Sequence, residues 1–388
     1  MMRAEVLFLD VEAWSPKGWE RTDVALSGLG VLARGADLSG SCVAREVVEG
    51  RGRKLVPGLV DVHLHGYGGH DVTSGGPSAA RAAASALAEV GTTRFLATLY
   101  PSPPERLRAL IAAYDELLRE QRGEGPRGAR IEGLHLEGPF VSRKRAGALE
   151  PECLREPDLT EVRAWLREHP GVVRRITLAP ELAGAHELLR LLLDHGVRPS
   201  LGHSDCTCRE AEVAARLGPL GVTHLFNAMR GVHHREPGLA MAALEIPDLV
   251  PELICDGVHV APEVLRWVRG VRGAHGVVMI SDALWPAGSS IQEFEAGGKR
   301  IRQGADAMWA EQGMLAGAKL CLLEMIRARV ADGSFELHDA IGMASYWPAR
   351  ELGLRADLLP GGLADALLLA DDGGLDGVWI DGRAMPRA

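Results

Sequence analysis

From Pro57 onward the chain alternates short apolar runs, each ending in a polar or histidine residue, with longer amphipathic stretches. LVDVHLHG precedes the alanine-rich SAARAAASALAEVG, and TRFLATLY precedes PPERLRALIAAYDELLREQRG. IEGLHLEG leads through a loop to TEVRAWLREH, and RRITLAPE leads to AHELLRLLLDHG. VRPSLGHSD, GVTHLFNAM, ELICDGVHV and GVVMISDAL continue the series. About eight strand candidates, most with a helix behind them, predict an α/β fold whose parallel sheet closes into a (β/α)8 TIM barrel rather than a mixed α+β arrangement.

The ends of the chain differ from this middle. AEVLFLD, DVALSGLGVLARG and CVAREVVEGRGRKLVPG are short β-rich pieces with glycine turns, predicting a small antiparallel sheet. The tail from Ala356 returns to β pieces, so both termini are expected to build one discontinuous β-sandwich domain, residues 1–56 plus 354–388, around a barrel at 57–353. Between barrel and tail, residues 289–304 read as a hairpin, and 315–331 and 336–353 as helices. At 388 residues and 46% hydrophobic, the chain can bury a core of that size. The net charge of −9 offers no electrostatic footprint for nucleic acid or anionic membrane. No run approaches about 18 apolar residues, and MMRAEVLFLD lacks the layout of a signal peptide, so a cytoplasmic protein is expected. Six scattered cysteines fit reduced thiols, including Cys206 and Cys208, whose CxC spacing has no second pair.

The chemistry gathers at strand ends. In His63-Leu64-His65 the imidazoles sit at i and i+2 and share one face of a strand. Alone, such a pair is equally well two ordinary core or surface histidines. Glu137, His203, His224 and Asp282 also end apolar runs, just before Gly, Ser or Asn turn chemistry, where barrel enzymes carry their reactive groups. A carboxylate there is costly unless paired or bound to a cation. Two carboxylates and four histidines supply the O and N donors that a divalent metal of hard or borderline type prefers. Lysines number only five, and none ends a core-type strand, whereas Glu137 does. His135, on the same strand face as Glu137, is either a support for the ligands or a satisfied core histidine; Trp285 either lines the pocket or fills core.

PGLVDVHLHG, HLEGPF, TLAPE, LGHSD, THLFNAM, HHREPG, DGVH and ISDA occur in the order and spacing of the amidohydrolase superfamily. Together they resemble the N-acetylglucosamine-6-phosphate deacetylases over nearly the whole chain. The resemblance implies a metal-dependent barrel with a small β-sandwich, hydrolysing the N-acetyl amide of N-acetylglucosamine 6-phosphate. It makes Glu137, His203 and His224 ligands of one metal, and His63 and His65, with Glu137 bridging, ligands of a second. One or two ions of Zn, Fe, Mn or Co per subunit are implied, with Asp282 as catalytic acid/base. Arg235 and His234 would grip the phosphate from a loop that reaches the neighbouring subunit's site, which implies a homodimer. Asn227 and Ala228 match a phosphate-side contact, His259 a sugar contact, and Leu315, Ala316 and Gly317 the acetyl side.

One departure bears on the substrate. Where these enzymes commonly carry a polar residue, this chain has Leu149, which neither donates nor accepts a hydrogen bond. Another phosphorylated N-acetylhexosamine, such as N-acetylgalactosamine 6-phosphate, is therefore an alternative substrate. A catalytically inactive binding protein is disfavoured by the complete ligand set and Asp282. A cyclic-amide hydrolase such as a dihydroorotase is disfavoured by the glutamate bridge and the HHREPG loop.

Overall fold

The structure, a computed structural model, describes residues 1–123, 125–296 and 298–386. Its centre is a sheet of eight parallel strands: Leu59–Leu64, Thr92–Leu99, Arg130–Glu137, Val173–Leu178, Arg198–Leu201, Leu220–Val222, Leu249–Ile254 and Val278–Ile280. Neighbours in sequence are neighbours in the sheet. The first and last strands meet through backbone hydrogen bonds just past their ends, Asp282 N to His63 O and His65 N to Ala283 O, both 2.9 Å. The α/β barrel is thereby closed at the rim that carries the candidate site.

Helices cover the outside because their sequences supply one apolar stripe each. The helix Gly76–Glu89 buries Ala80, Ala83, Ala84, Leu87 and Ala88, whose small side chains let it lie close to the sheet. The helix Ala185–Asp194 buries Leu188, Leu189, Leu191 and Leu192. Local starts are encoded as well: Asp158 caps Leu159–Glu168 by accepting from the Thr160 and Glu161 amides. Thr207 and Glu210 form a reciprocal capping box at the start of Cys208–Ala215. Cys208 therefore opens a helix, and all six cysteines are free.

Strands from both termini make a second sheet, in which Lys54–Pro57 lies between Met2–Ser15 and the tail strand Ala366–Leu369. The expected purely antiparallel order is corrected here. Met2–Ser15 pairs antiparallel with Gly18–Ser27 but parallel with both Cys42–Glu49 and Lys54–Pro57. After the opening meander the chain crosses back and runs in the direction of its first strand.

The segment after the barrel also differs from expectation. The hairpin at 289–304 is half of a four-stranded antiparallel sheet, Glu293–Ala296, Lys299–Gln303, Met308–Ala310 and Met314–Gly317. The helix expected from Leu315 starts only at Leu322, because Gly317 has φ +151°, outside helical space, and the Cys321 amide bonds the Glu324 carboxylate at 2.8 Å. The helix expected over 336–353 is interrupted by a widened turn at Gly342–Tyr346, just before Pro348, which brings no amide donor to the ladder. Among the described residues no helix is long and apolar enough to cross a membrane.

A buried ion cluster ties the tail to the barrel. Arg94, on the second barrel strand, donates from Nε to Asp365 (2.6 Å), from Nη2 to Asp381 (2.9 Å) and from Nη1 to Glu132 (2.5 Å). Removing one partner of a buried cluster leaves the other charges uncompensated. Arg94→Ala is therefore expected to cost about 3–5 kcal/mol in thermal or denaturant unfolding. Arg108→Ala, at the exposed pair with Glu168, should stay within roughly 1 kcal/mol of the parent.

Candidate metal centre and active site

Every residue picked out at a strand end reaches the same rim. His63 belongs to the first strand and His65 follows it; Glu137 closes the third strand. His203, His224 and Asp282 each stand two residues beyond a strand. The last three have positive φ, 46°, 31° and 50°, in the left-handed region where non-glycine residues are uncommon. The chain turns sharply there, which aims a side chain inward rather than continuing the ladder.

Glu137 is the hub. Its Oε1 lies 3.0 Å from His203 Nε2 and 3.1 Å from His224 Nε2, and its Oε2 lies 3.2 Å from His65 Nε2. His63 Nε2 is 3.5 Å from both Glu137 Oε1 and Asp282 Oδ1, and it is buried without a hydrogen-bond partner. Among the described residues two sets of donor atoms are compact enough for an ion, His63–His65–Asp282 and Glu137–His203–His224. Tetrahedral metal–ligand bonds of about 2.0–2.2 Å put ligand atoms roughly 3.3–3.6 Å apart. The observed spacings fall near that range, and the donor chemistry suits a borderline divalent ion. The site residues therefore fit a metal.

Burial and the site's own charges compete in setting its protonation, and the carboxylates raise the His63 and His65 imidazoles against burial. Burial alone would raise the Glu137 carboxyl, but its contacts with the His203, His224, His63 and His65 imidazoles outweigh it and hold it well below the usual range. Burial likewise opposes ionisation of Asp282, yet the charge of His63 and the hydrogen bond from His65 bring it below its ordinary value. The His224 imidazole is lowered by burial, which favours its neutral, ligating form.

The far sides of the rings are anchored. His203 Nδ1 meets the Arg145 carbonyl at 2.8 Å, His65 Nδ1 the Thr98 carbonyl at 3.2 Å, and His63 Nδ1 the Glu252 carboxylate at 3.2 Å. Such contacts select the tautomer that leaves Nε2 free to bind an ion. His135 lies beneath the ligands, its Nε2 2.8 Å from Thr177 Oγ1, and burial holds it well below its normal pKa. It is a satisfied interior group packed edge-on against the His63 ring at 4.5 Å.

A cavity of 230 Å³ opens on this rim, lined by His65, Glu137, His203, His224 and Asp282 together with Asn227, Ala228, His259, Leu315, Ala316 and Gly317. His259 is held by Asp256, whose carboxylate meets Nδ1 at 2.6 Å. The Asn227 amide donates to the His224 and Leu225 carbonyls, bracing the loop beneath the pocket. His234 and Arg235 do not line the cavity. Both are exposed, with Arg235 Nη1 2.9 Å from His234 Nε2. Leu149 lines the cavity and packs with Val141 and Leu154. Trp285 does not reach the pocket and packs edge-on against Phe294.

Sequence reasoning missed Tyr100, whose ring stacks on His65 with centroids 3.9 Å apart, and Glu252, buried inside the barrel. Tyr100 ends the strand TRFLATLY, so strand-end position was its available signal. A larger cavity of 750 Å³ lies between the terminal sheet and the Leu322–Ala331 helix. Two of its cations, Lys54 and Arg53, are already paired, with Glu12 and Asp376, and among the described residues it contains no convergent donor set like that at the barrel mouth.

The sequence model of the amidohydrolase family matches residues 55–385. An N-acetylglucosamine-6-phosphate deacetylase of Vibrio furnissii is 31% identical over 334 residues, covering 85% of this chain and 82% of its own. One from Bacillus subtilis (strain 168) is 34% identical over 322 residues, covering 82% and 81%. Among solved structures, a mutant N-acetyl-D-glucosamine-6-phosphate deacetylase of Mycobacterium smegmatis in complex with N-acetyl-D-glucosamine-6-phosphate superimposes with a TM-score of 0.87. It is 31% identical to this chain, with 98% of this chain and 99% of that one covered.

Because Glu137 touches both donor sets, Glu137→Gln should deplete bound metal more than His203→Asn or His65→Asn, each of which disturbs one set. Elemental analysis after equilibration at fixed free Zn or Mn checks the order.

Proposed function

The chain belongs to the amidohydrolase family, and we infer from that membership and the site geometry that it hydrolyses the N-acetyl amide of N-acetylglucosamine 6-phosphate to glucosamine 6-phosphate and acetate. The observation that carries the reading is the buried Glu137 gathered with His65, His203, His224 and Asp282 on the lining of a cavity at the barrel mouth, with His63 close behind. Amide hydrolysis needs a nucleophilic water, a polarised carbonyl and a proton for the departing amine, and this lining has groups for each.

Glu137, His203 and His224 would hold one ion, and His63 and His65, with Glu137 between the sets, a second. A divalent ion of the Zn, Fe, Mn or Co type supplies Lewis acidity there, lowering the pKa of water and polarising the amide carbonyl. Asp282, held in its carboxylate form, accepts the proton of the attacking water and delivers it to the amine nitrogen as the C–N bond breaks. Asp256 holds His259 by its Nδ1, leaving Nε2 available for a sugar hydroxyl. Leu315, Ala316 and Gly317 face the acetyl group, and Asn227 and Ala228 border the phosphate.

Arg235 and His234 complete the phosphate site from a second copy of the chain. In one chain they are exposed and outside the cavity, as a contact made across a dimer requires, and exposed Val232 beside them adds apolar surface to such an interface. A guanidinium fork suits a phosphate. A cytoplasmic homodimer is the assembly that this reading entails.

Asp282→Asn is expected to lower acetate release by about 10²–10⁴-fold, the usual worth of a general acid–base group. Metal held by Glu137, His203 and His224 should be retained. Arg235→Ala should raise KM for the phosphorylated sugar at least tenfold while leaving unphosphorylated N-acetylglucosamine turnover unchanged. Equal losses on both sugars would remove Arg235 from the phosphate site. A screen that finds no acetate from N-acetylglucosamine 6-phosphate in the metal-loaded protein would overturn the function.

A further inference from the structure

Behind His63 the barrel interior contains a line of alternating charges that amide hydrolysis does not use. Glu252, on the Leu249–Ile254 strand, is fully buried. Its Oε1 is paired with the Arg175 guanidinium and its Oε2 lies 3.2 Å from His63 Nδ1. Arg175, 1% exposed, reaches with Nη2 to Glu351 Oε2 at 3.2 Å, and Glu351 is paired in turn with Arg198. The line His63–Glu252–Arg175–Glu351–Arg198 thus runs through the barrel core to the helix Trp347–Glu351.

Stability does not account for this arrangement. Barrel interiors are ordinarily filled by branched apolar side chains, and a buried ion pair is often no more stabilising than well-packed apolar residues of the same volume. What an apolar pair cannot do is accept a hydrogen bond from His63 Nδ1. That bond fixes the tautomer and the ring angle, and it makes Nε2 a better donor atom. His65 and His203 use backbone carbonyls for the same purpose; only His63 among these three is backed by a carboxylate. Its Nε2 is also buried without a hydrogen-bond partner, 3.5 Å from both Glu137 and Asp282.

We propose that Glu252, held by Arg175, is a positioning residue that makes His63 a metal ligand and thereby sets occupancy of the position formed by His63, His65 and Asp282. The proposal rests on the metal-dependent reading of the site. It gives the chain a means of tuning its second ion independently of the first, through residues that touch neither ion nor substrate. Glutamine at 252 would offer one acceptor oxygen where two partners each need one, so either Arg175 or His63 would face an amide N–H.

The test is metal stoichiometry of the purified full-length protein, dialysed against stepped concentrations of free Zn or Mn and read by elemental analysis, with a melting curve for each variant. Wild type should take up two equivalents. Glu252→Gln should keep the equivalent held by Glu137, His203 and His224 and bind the other about 10–100-fold more weakly, the usual effect of losing a carboxylate behind a ligating histidine. Should Glu252→Gln fail to fold, the apolar pair Arg175→Met with Glu252→Leu removes both charges together and should fold while showing the same selective loss. His63→Asn should match it, and adding Glu252→Gln to His63→Asn should cause no further loss. Two equivalents bound with wild-type affinity by the folded apolar-pair variant would overturn the proposal and leave the metal centre intact. Wild-type protein that takes up no metal would overturn the metal-dependent reading itself.

Discussion

One buried carboxylate organises the active face. Glu137 has almost no solvent, and a charge in that position is tolerable only if it is densely partnered. The partners are four imidazoles from the first, fifth and sixth βα units of the barrel, so the charge that would otherwise be a liability draws separate strands to one point. The consequence reaches outward. For three of the rings, once Nε2 faces Glu137, Nδ1 needs an acceptor, and the Thr98 carbonyl, the Arg145 carbonyl and the Glu252 carboxylate meet that need for His65, His203 and His63. Glu252 is itself a buried charge and needs Arg175, which needs Glu351. The polar interior is therefore a chain of obligations starting from one residue, and it competes with the apolar packing that fills most of the barrel.

The candidate ligands at the barrel mouth were legible because strand geometry is simple. A side-chain period of two puts His63 and His65 on one face, and a polar residue at the end of an apolar run marks the mouth of a barrel. The supports were illegible for equally physical reasons. Two of them are backbone carbonyls, which carry no residue signature at all. The third, Glu252, sits among Pro251, Leu253 and Ile254, where a lone acid reads as an interruption rather than as part of a site. Its meaning depends on Arg175, which lies 77 positions earlier and is its neighbour only after the barrel has closed.

The terminal sheet shows the same limit at the level of topology. Alternation identified its strands, but their directions depend on crossings between them, and Cys42–Glu49 and Lys54–Pro57 run parallel to Met2–Ser15. The four-stranded sheet after the barrel was half visible, because the glycine pair between Ala296 and Lys299 is an obvious turn signal in the sequence while Met308–Ala310 and Met314–Gly317 are very short. That sheet matters to the site. Its last strand brings Leu315, Ala316 and Gly317 to the cavity, and Lys299 ties it to the Gly147 carbonyl across the opening.

Strain marks the same residues that the carboxylate gathers. His203, His224 and Asp282 all adopt left-handed backbone conformations, as do Phe226 and Ala228 in the loop that follows. Each such conformation costs on the order of 1–3 kcal/mol in a non-glycine residue. Glycine would relieve that cost at every one of these positions, but it would bring no imidazole or carboxylate. A turn tight enough to point a ligand back into the mouth, made by the ligand itself, requires a residue that is conformationally unfavourable there. The partners of Glu137 supply the compensating interactions. Binding an ion would add to them, so the backbone strain and the dense donor set are two sides of one arrangement, in which local conformational preference gives way to the geometry of the centre.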